Sequence, residues 1–328
     1  GGSDTETKTG YIVILPPPPV ANFTATPTTG VAPLNVGFTD TSTDATSWSW
    51  TFGDGGTSTA QNPSHTYASA GTFTVALTAT GPGGSNTNTK TNYVTVSEPA
   101  PIADFSGTPT SGIKPLLVSF TDQSANPVTS WAWTFGDGGT SAAQNPSHTY
   151  SAAGTYTVAL TATGPGGNNT KTKTAYITVS EPAPVANFSG TPTSGTKPLL
   201  VSFTDQSTNP VTSWAWSFGD GGTSTAQNPS HTYNTAGTFT VALTATGPGG
   251  ANTNTKTNYI TVSEPPPVAS FSGTPTSGIK PLLVSFTDST TNATSWSWTF
   301  GDGGTSSAQN PSHTYSSAGT FTVSLTAT

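Results

Sequence analysis

The chain has 328 residues, of which only 7% are charged; eight Lys and no Arg stand against fifteen Asp and Glu, a formal net charge of −7. With no basic patch and no Arg fork for phosphate, this composition excludes a nucleic-acid partner. There is no Cys for disulfides or thiolate metal sites, and the longest apolar run, Tyr11 to Leu15, is far too short to cross a bilayer, which excludes membrane insertion.

Taken in chain order, residues 1–15 come first. Gly1-Gly2-Ser3-Asp4-Thr5-Glu6-Thr7-Lys8-Thr9-Gly10-Tyr11-Ile12-Val13-Ile14-Leu15 aligns without a gap on Gly83 to Ser97, the closing segment of the first full repeat. The segment is therefore read as an N-terminal strand separated from its own sandwich. Internal closing strands run Tyr-Val/Ile-Thr-Val-Ser, whereas this one has Val13 and Leu15 in place of Thr95 and Ser97, so both faces are apolar. Two explanations stand side by side: a slightly divergent preceding module, or extra buried area for a strand held without a covalent hairpin. The sequence opens without an initiating Met or signal peptide, and the chain is expected to be mature or excised.

A Pro linker follows at 16–19, then the first repeat over 20–98. Leu34, Val36 and Phe38 alternate with polar or small residues, as do Trp48, Trp50 and Phe52, and then Phe73, Val75, Leu77 and Ala79; each set predicts a half-buried strand. No segment reads as a helix. Gly81-Pro82-Gly83-Gly84 is a hairpin loop and not a phosphate cradle, since a strand follows it and the Lys-Ser/Thr pair is missing. The same text recurs over 102–181, 185–264 and 268–328, with Trp48, Trp131, Trp214 and Trp296 spaced by 83, 83 and 82 residues. Linkers of the type Glu98-Pro99-Ala100-Pro101 are short and favour extended geometry, which predicts a stiff array. The fourth copy reaches Phe321-Thr322-Val323-Ser324-Leu325-Thr326-Ala327-Thr328 and no further, so it is predicted to lack its final strand.

Four phrases carry a family resemblance: Val20-Ala21-Asn22-Phe23, Trp48-Ser49-Trp50-Thr51-Phe52-Gly53-Asp54-Gly55, Asn62-Pro63-Ser64-His65-Thr66-Tyr67 and Gly71-Thr72-Phe73-Thr74-Val75. In this order and spacing, and four times over, they resemble the polycystic kidney disease (PKD) domain. The resemblance implies tandem immunoglobulin-like sandwiches of an extracellular or cell-surface protein, used as spacers, adhesive units or surface-layer building blocks and sometimes attached to hydrolases. The fold class expected is all-β, as antiparallel β-sandwiches with strands alternating inward and outward faces.

Residues with chemistry to offer are few and periodic. His65, His148, His231 and His313 occur once per copy in the same phrase; a catalytic centre repeated identically in four modules is not expected, so they are assigned to a turn, and no catalytic residue, cofactor or metal site is assigned. Asp54, Asp137, Asp220 and Asp302 lie between glycines and are expected to stabilise tight turns. The rival is calcium at Asp40 with Asp44, and at Asp122, Asp205 and Asp288 with Asn126, Asn209 and Asn292. That set is poor beside the roughly six to eight oxygens a tight site wants. Trp48 and Trp50 are read as core and not as a sugar platform. Sequons at Asn22, Asn168, Asn187 and Asn292 are candidate glycosylation sites. Asn35 becomes Leu117, Leu200 and Leu283 on an outward face, either as isolated exposed leucines or as a repeated sticky point.

The function expected is structural and not enzymatic. Tyr11, Ile12, Val13, Ile14 and Leu15 of one chain are expected to insert beside Phe321, Val323 and Leu325 of another copy, building a filament head to tail. The partner is thus the chain itself, with other surface proteins and glycans as further candidates. Two alternatives stay open: a window of a longer covalent repeat protein acting as a spacer, and the binding module of a secreted hydrolase.

Overall fold

In the computed structural model, which describes all 328 residues and contains no helix, runs of apolar residues alternating with Thr, Ser or Gly form the strands. The first repeat holds eight: β1 (Phe23–Thr26), β2 (Thr29–Val31), β3 (Leu34–Asp40), β4 (Ser47–Thr51), β5 (Thr57–Ser58), β6 (Ser64–Tyr67), β7 (Gly71–Gly81) and β8 (Gly84–Ser97). One sheet has the order β1-β3-β6 and the other β2-β8-β7-β4-β5. Because successive side chains point to opposite faces, Val36 and Phe38 of the first sheet meet Trp50, Val75, Leu77, Val94 and Val96 of the second in one buried cluster. The Trp50 indole is wholly buried, and its N–H donates to Ala60 O at 2.9 Å, which removes the cost of burying that donor.

The pairing is not wholly antiparallel, as the sequence had led us to expect. Thr29–Val31 runs parallel to the end of β8, with Gly30 opposite Val96. Between Phe73 and Val75 the β7–β8 register shifts, and Asn92 takes φ 52° at that bulge, a left-handed conformation that Asn tolerates better than most residues. Only β8 therefore pairs with both β2 and the first half of β7.

The chain divides into two compact units, residues 1–180 and 181–328. The first contains the sandwiches built around Trp50 and Trp133, and the second those built around Trp216 and Trp298. The second and third sandwiches repeat the eight strands of the first. The fourth does not: within residues 1–328 nothing occupies the place of β8, and two further changes follow from that. Its counterpart of β7 shrinks to Ser324–Ala327, the stretch that pairs with Trp296–Thr299, while Gly319–Val323 has no ladder partner and forms no strand. Its counterpart of β2, around Ile279, is also missing, because β8 is the only strand β2 pairs with. The acceptor strand expected through Phe321, Val323 and Leu325 is accordingly only Ser324–Ala327, and of those three residues it contains Leu325 alone.

Candidate functional site

The opened edge of the fourth sandwich is a groove of about 690 Å³ lined by Phe271, Val284, Phe286, Tyr315, Phe321 and Val323, among others. Its apolar side chains are those that β8-type strands cover elsewhere. Phe271 is 37% exposed, whereas Phe23, Phe105 and Phe188 at the same place are completely buried. Ile279 is 91% exposed against 57% for Ile113. Val323 and Leu325 reach the fourth core only as half-buried residues, while Val75 and Leu77, their counterparts in the first sandwich, are sealed; Phe321 is half-buried like its counterpart Phe73.

Residues 1–19 form no strand. The five side chains Tyr11, Ile12, Val13, Ile14 and Leu15 are 65 to 88% exposed, a contiguous apolar stretch with no core of its own. In β8 the residues aligned with Ile12 and Ile14 are Val94 and Val96, both buried, whereas those aligned with Val13 and Leu15 are Thr95 and Ser97, both exposed. Gly10 has φ 75°, in the same left-handed region as Asn92, Ala175 and Asn258 at the bulge of the three complete closing strands.

The histidines lie on strands and not in turns, which corrects the expectation from the sequence. His65 in β6 stacks on Phe52 at 4.2 Å, meets Tyr67 edge-on at 4.8 Å, and its Nε2 sits 2.7 Å from Asp54 Oδ2. Asp54 Oδ1 also accepts the Gly56 N–H at 2.9 Å, the turn-forming bond the sequence implied. Partial burial pushes the Asp54 carboxyl up, but these two hydrogen bonds outweigh it and its pKa falls below the ordinary range. Tyr67 donates to Phe52 O at 3.0 Å, and burial pushes its phenol up. The Asp–His distance is the same 2.7 Å in all four copies, with no hydroxyl or thiol nucleophile joined to the pair. Its partners make it a clamp between a turn and a strand.

Asp40 is likewise spoken for. Its Oδ2 accepts Trp48 Nε1–H at 2.7 Å and Gln61 Nε2 at 3.2 Å, and its Oδ1 accepts Ser42 N–H at 2.9 Å. Trp48 is therefore a half-buried donor at the sandwich end and not a full core residue. No three His, Cys, Asp or Glu side chains group as metal ligands would. Asn22, Asn168, Asn187 and Asn292 are all exposed, with the Oδ1 atoms of Asn22 and Asn187 accepting the following backbone N–H at 2.9 Å. Leu117, Leu200 and Leu283 are exposed on the outer face of their strands.

A family model described as "PKD domain" matches residues 16–96, 98–179, 181–262 and 264–328. Collagenase ColA of Bacillus cereus is 45% identical over 56 residues, which is 17% of this chain but only 6% of the collagenase. Among solved structures, the PKD1 domain of the Vibrio cholerae metalloprotease PrtV is 31% identical, covering 24% of this chain and 98% of that one, with a TM-score of 0.21. The titin fragment I67-I69 is 12% identical, covering 75% of this chain and 99% of that fragment, with a TM-score of 0.37.

Proposed function

The chain belongs to the PKD domain family, and from that membership we propose that it is a structural subunit that polymerises head to tail, residues 1–15 of one copy closing the fourth sandwich of the next. The observation that carries this reading is complementarity: an exposed segment with the sequence of a closing strand, and a groove with the shape left by one. In the register of β7 and β8, Ile12 falls opposite Phe321, Ile14 opposite Gly319 and Lys8 opposite Val323. Ile12 and Ile14 then fill the places of Val94 and Val96, each contributing about 1.5 to 3 kcal/mol on full burial, while the backbone of Gly319–Val323 gains the ladder partner it lacks. The contact is heterologous, so without ring closure it propagates as an open filament.

No catalytic role is part of this reading, because the one recurrent polar pair, His65 with Asp54 and its copies, is consumed in holding a turn. The filament is assigned to the outside of a cell or its surface. A part of this chain resembles a collagenase, whose substrate lies in that compartment, and the protein's weakly charged, hydroxyl-rich surface suits packing in an assembly. No helix is long and apolar enough to cross a membrane.

One observation favours a second reading, a covalent array in which a following repeat closes the fourth sandwich. Lys197 Nζ lies 2.7 Å from Oε2 of Glu264, which directly follows the third closing strand. The matching Lys280 lines the open groove, and a donated strand would bring it Pro16 where a covalent repeat of the same text would bring a glutamate. Sedimentation of the 328-residue chain decides between them. Strand donation predicts polymers that grow with concentration and disappear when residues 1–15 are deleted; a chain that stays monomeric at high concentration contradicts it.

A further inference from the structure

Each complete sandwich is fastened by a lysine that reaches from the closing strand to the first strand. Lys90 donates from Nζ to Phe23 O at 2.5 Å and stands 4.7 Å from the Phe23 ring centre and 4.8 Å from that of Tyr93. Lys256 does the same with Phe188 O at 2.5 Å, at 4.7 Å from Phe188 and 4.9 Å from Tyr259. Lys173 donates to Phe105 O and lies 4.8 Å from Phe105 and 5.2 Å from Tyr176. The ammonium thus sits between two rings and a carbonyl, a site in which a partly desolvated cation gains from both the hydrogen bond and the ring faces.

The fourth sandwich holds only the first-strand half of this clasp. Phe271 keeps its contacts with Trp298 at 5.0 Å and Phe286 at 6.3 Å, but no tyrosine and no lysine lie on it. The free N-terminal segment holds the other half. Lys8 Nζ already stands 5.0 Å from the Tyr11 ring, close to the spacing of Lys90 and Tyr93, and Gly10 between them has the left-handed φ of the closing-strand bulge. Its other neighbour is Glu6 Oε1 at 3.5 Å, and with Lys8 54% and Glu6 79% exposed that pair is solvated and easily given up.

We propose that Lys8 is the cationic anchor of the donated strand, its ammonium donating to Phe271 O of a second copy of this chain and covering the Phe271 ring while Tyr11 takes the place of Tyr93. This rests on the strand-donation reading and names the residue pair by which the segment fits the groove. Apolar complementarity alone leaves the strand free to slip by two residues at little cost, since Ile12 and Ile14 are alike; Lys8 over Phe271 fixes one register.

The test uses the full chain and its critical concentration for polymerisation. Lys8→Met keeps the apolar stem, removes the donor and the charge, and alters no residue within a folded sandwich. It should raise the critical concentration about ten- to a hundredfold, the size expected for a charged hydrogen bond together with a cation–ring contact. Phe271→Leu, which removes the ring and leaves the backbone carbonyl, should raise it by less, and the double variant should be little worse than Lys8→Met alone, since that variant has already lost the ring contact. Trypsin should cut after Lys8 in the monomeric chain and fail to do so in polymer. If Lys8→Met polymerises at the wild-type concentration while Ile12→Asp does not polymerise, the anchor is wrong and donation stands. If the wild-type chain forms no polymer, donation fails and the anchor with it.

Discussion

The third and fourth sandwiches carry nearly the same text and differ in one strand. In the third, the segment Gly250–Ser263 covers a core in which Phe188, Val241 and Leu243 are sealed. In the fourth, the corresponding Phe271 is partly bare, Val323 and Leu325 are half-buried, and two other stretches lose their strand character. One closing strand therefore holds up three elements: itself, the short strand parallel to it and the first half of its hairpin neighbour. The His–Asp clamp, which does not touch that strand, is unchanged at 2.7 Å in both.

The sharpest way to break the comparison is to place the same charge in both kinds of closing strand. Ile260→Asp puts a carboxylate at a completely buried position of the third sandwich, a cost on the order of 5 kcal/mol, comparable to the whole stability of a domain this small. It should unfold that sandwich in denaturant titration. Ile12→Asp, at an exposed position, should leave the denaturation transitions of the first three sandwiches where they are and abolish polymerisation, as read by light scattering.

Next in size are the two aromatic positions. Phe188→Ala removes a fully buried ring and should cost the third sandwich about 3 to 5 kcal/mol. Phe271→Ala removes one already 37% exposed, so its cost in the monomer should be smaller, about 1 to 3 kcal/mol. Equal losses in urea titrations would mean the fourth groove is closed in solution.

The smallest effect concerns what the two sandwiches share. Partial burial pushes the Asp220 carboxyl up, but its bonds with His231 and Gly222 N–H outweigh this and lower its pKa; Asp302 is lowered chiefly by its bond with His313. A carboxyl whose folded pKa is depressed contributes stability above its unfolded value, about 3.9, and loses it as pH falls through the folded value. Melting temperatures should accordingly fall as pH drops below about 4 in both sandwiches. A fall confined to one would show that the clamp is not shared.

Much of this was legible in the residues. Alternation around Trp50, Val75 and Val36 gave the strands and the inward faces, because a half-buried strand must repeat every second residue. The three-residue strand Thr29–Val31 was not legible: it is too short to alternate, and its partner lies 66 residues on. The Asp54–His65 contact was missed because a turn and a strand bring together two residues 11 apart, although an Asp and a His recurring together in every copy was a signal for it. Lys90 over Phe23 spans 67 residues and left only a weaker trace, a lysine at the same place in every closing strand. Trp48 resembled a core residue because its alternation matches that of Trp50; it is half-buried, with its indole N–H donating to the Asp40 carboxylate, a contact that alternation does not reveal.

Amide hydrogen exchange resolved to single segments, comparing polymer of the intact chain with monomeric Ile12→Asp, tests strand donation most directly. Gly319–Val323 and the residues around Ile279 have no strand partner in the monomer and should exchange freely there. In the polymer both stretches, together with residues 3–15, should become as protected as Gly237–Val241 and Gly250–Ser263 of the third sandwich. Polymer in which these three stretches exchange as fast as in the monomer would contradict the account.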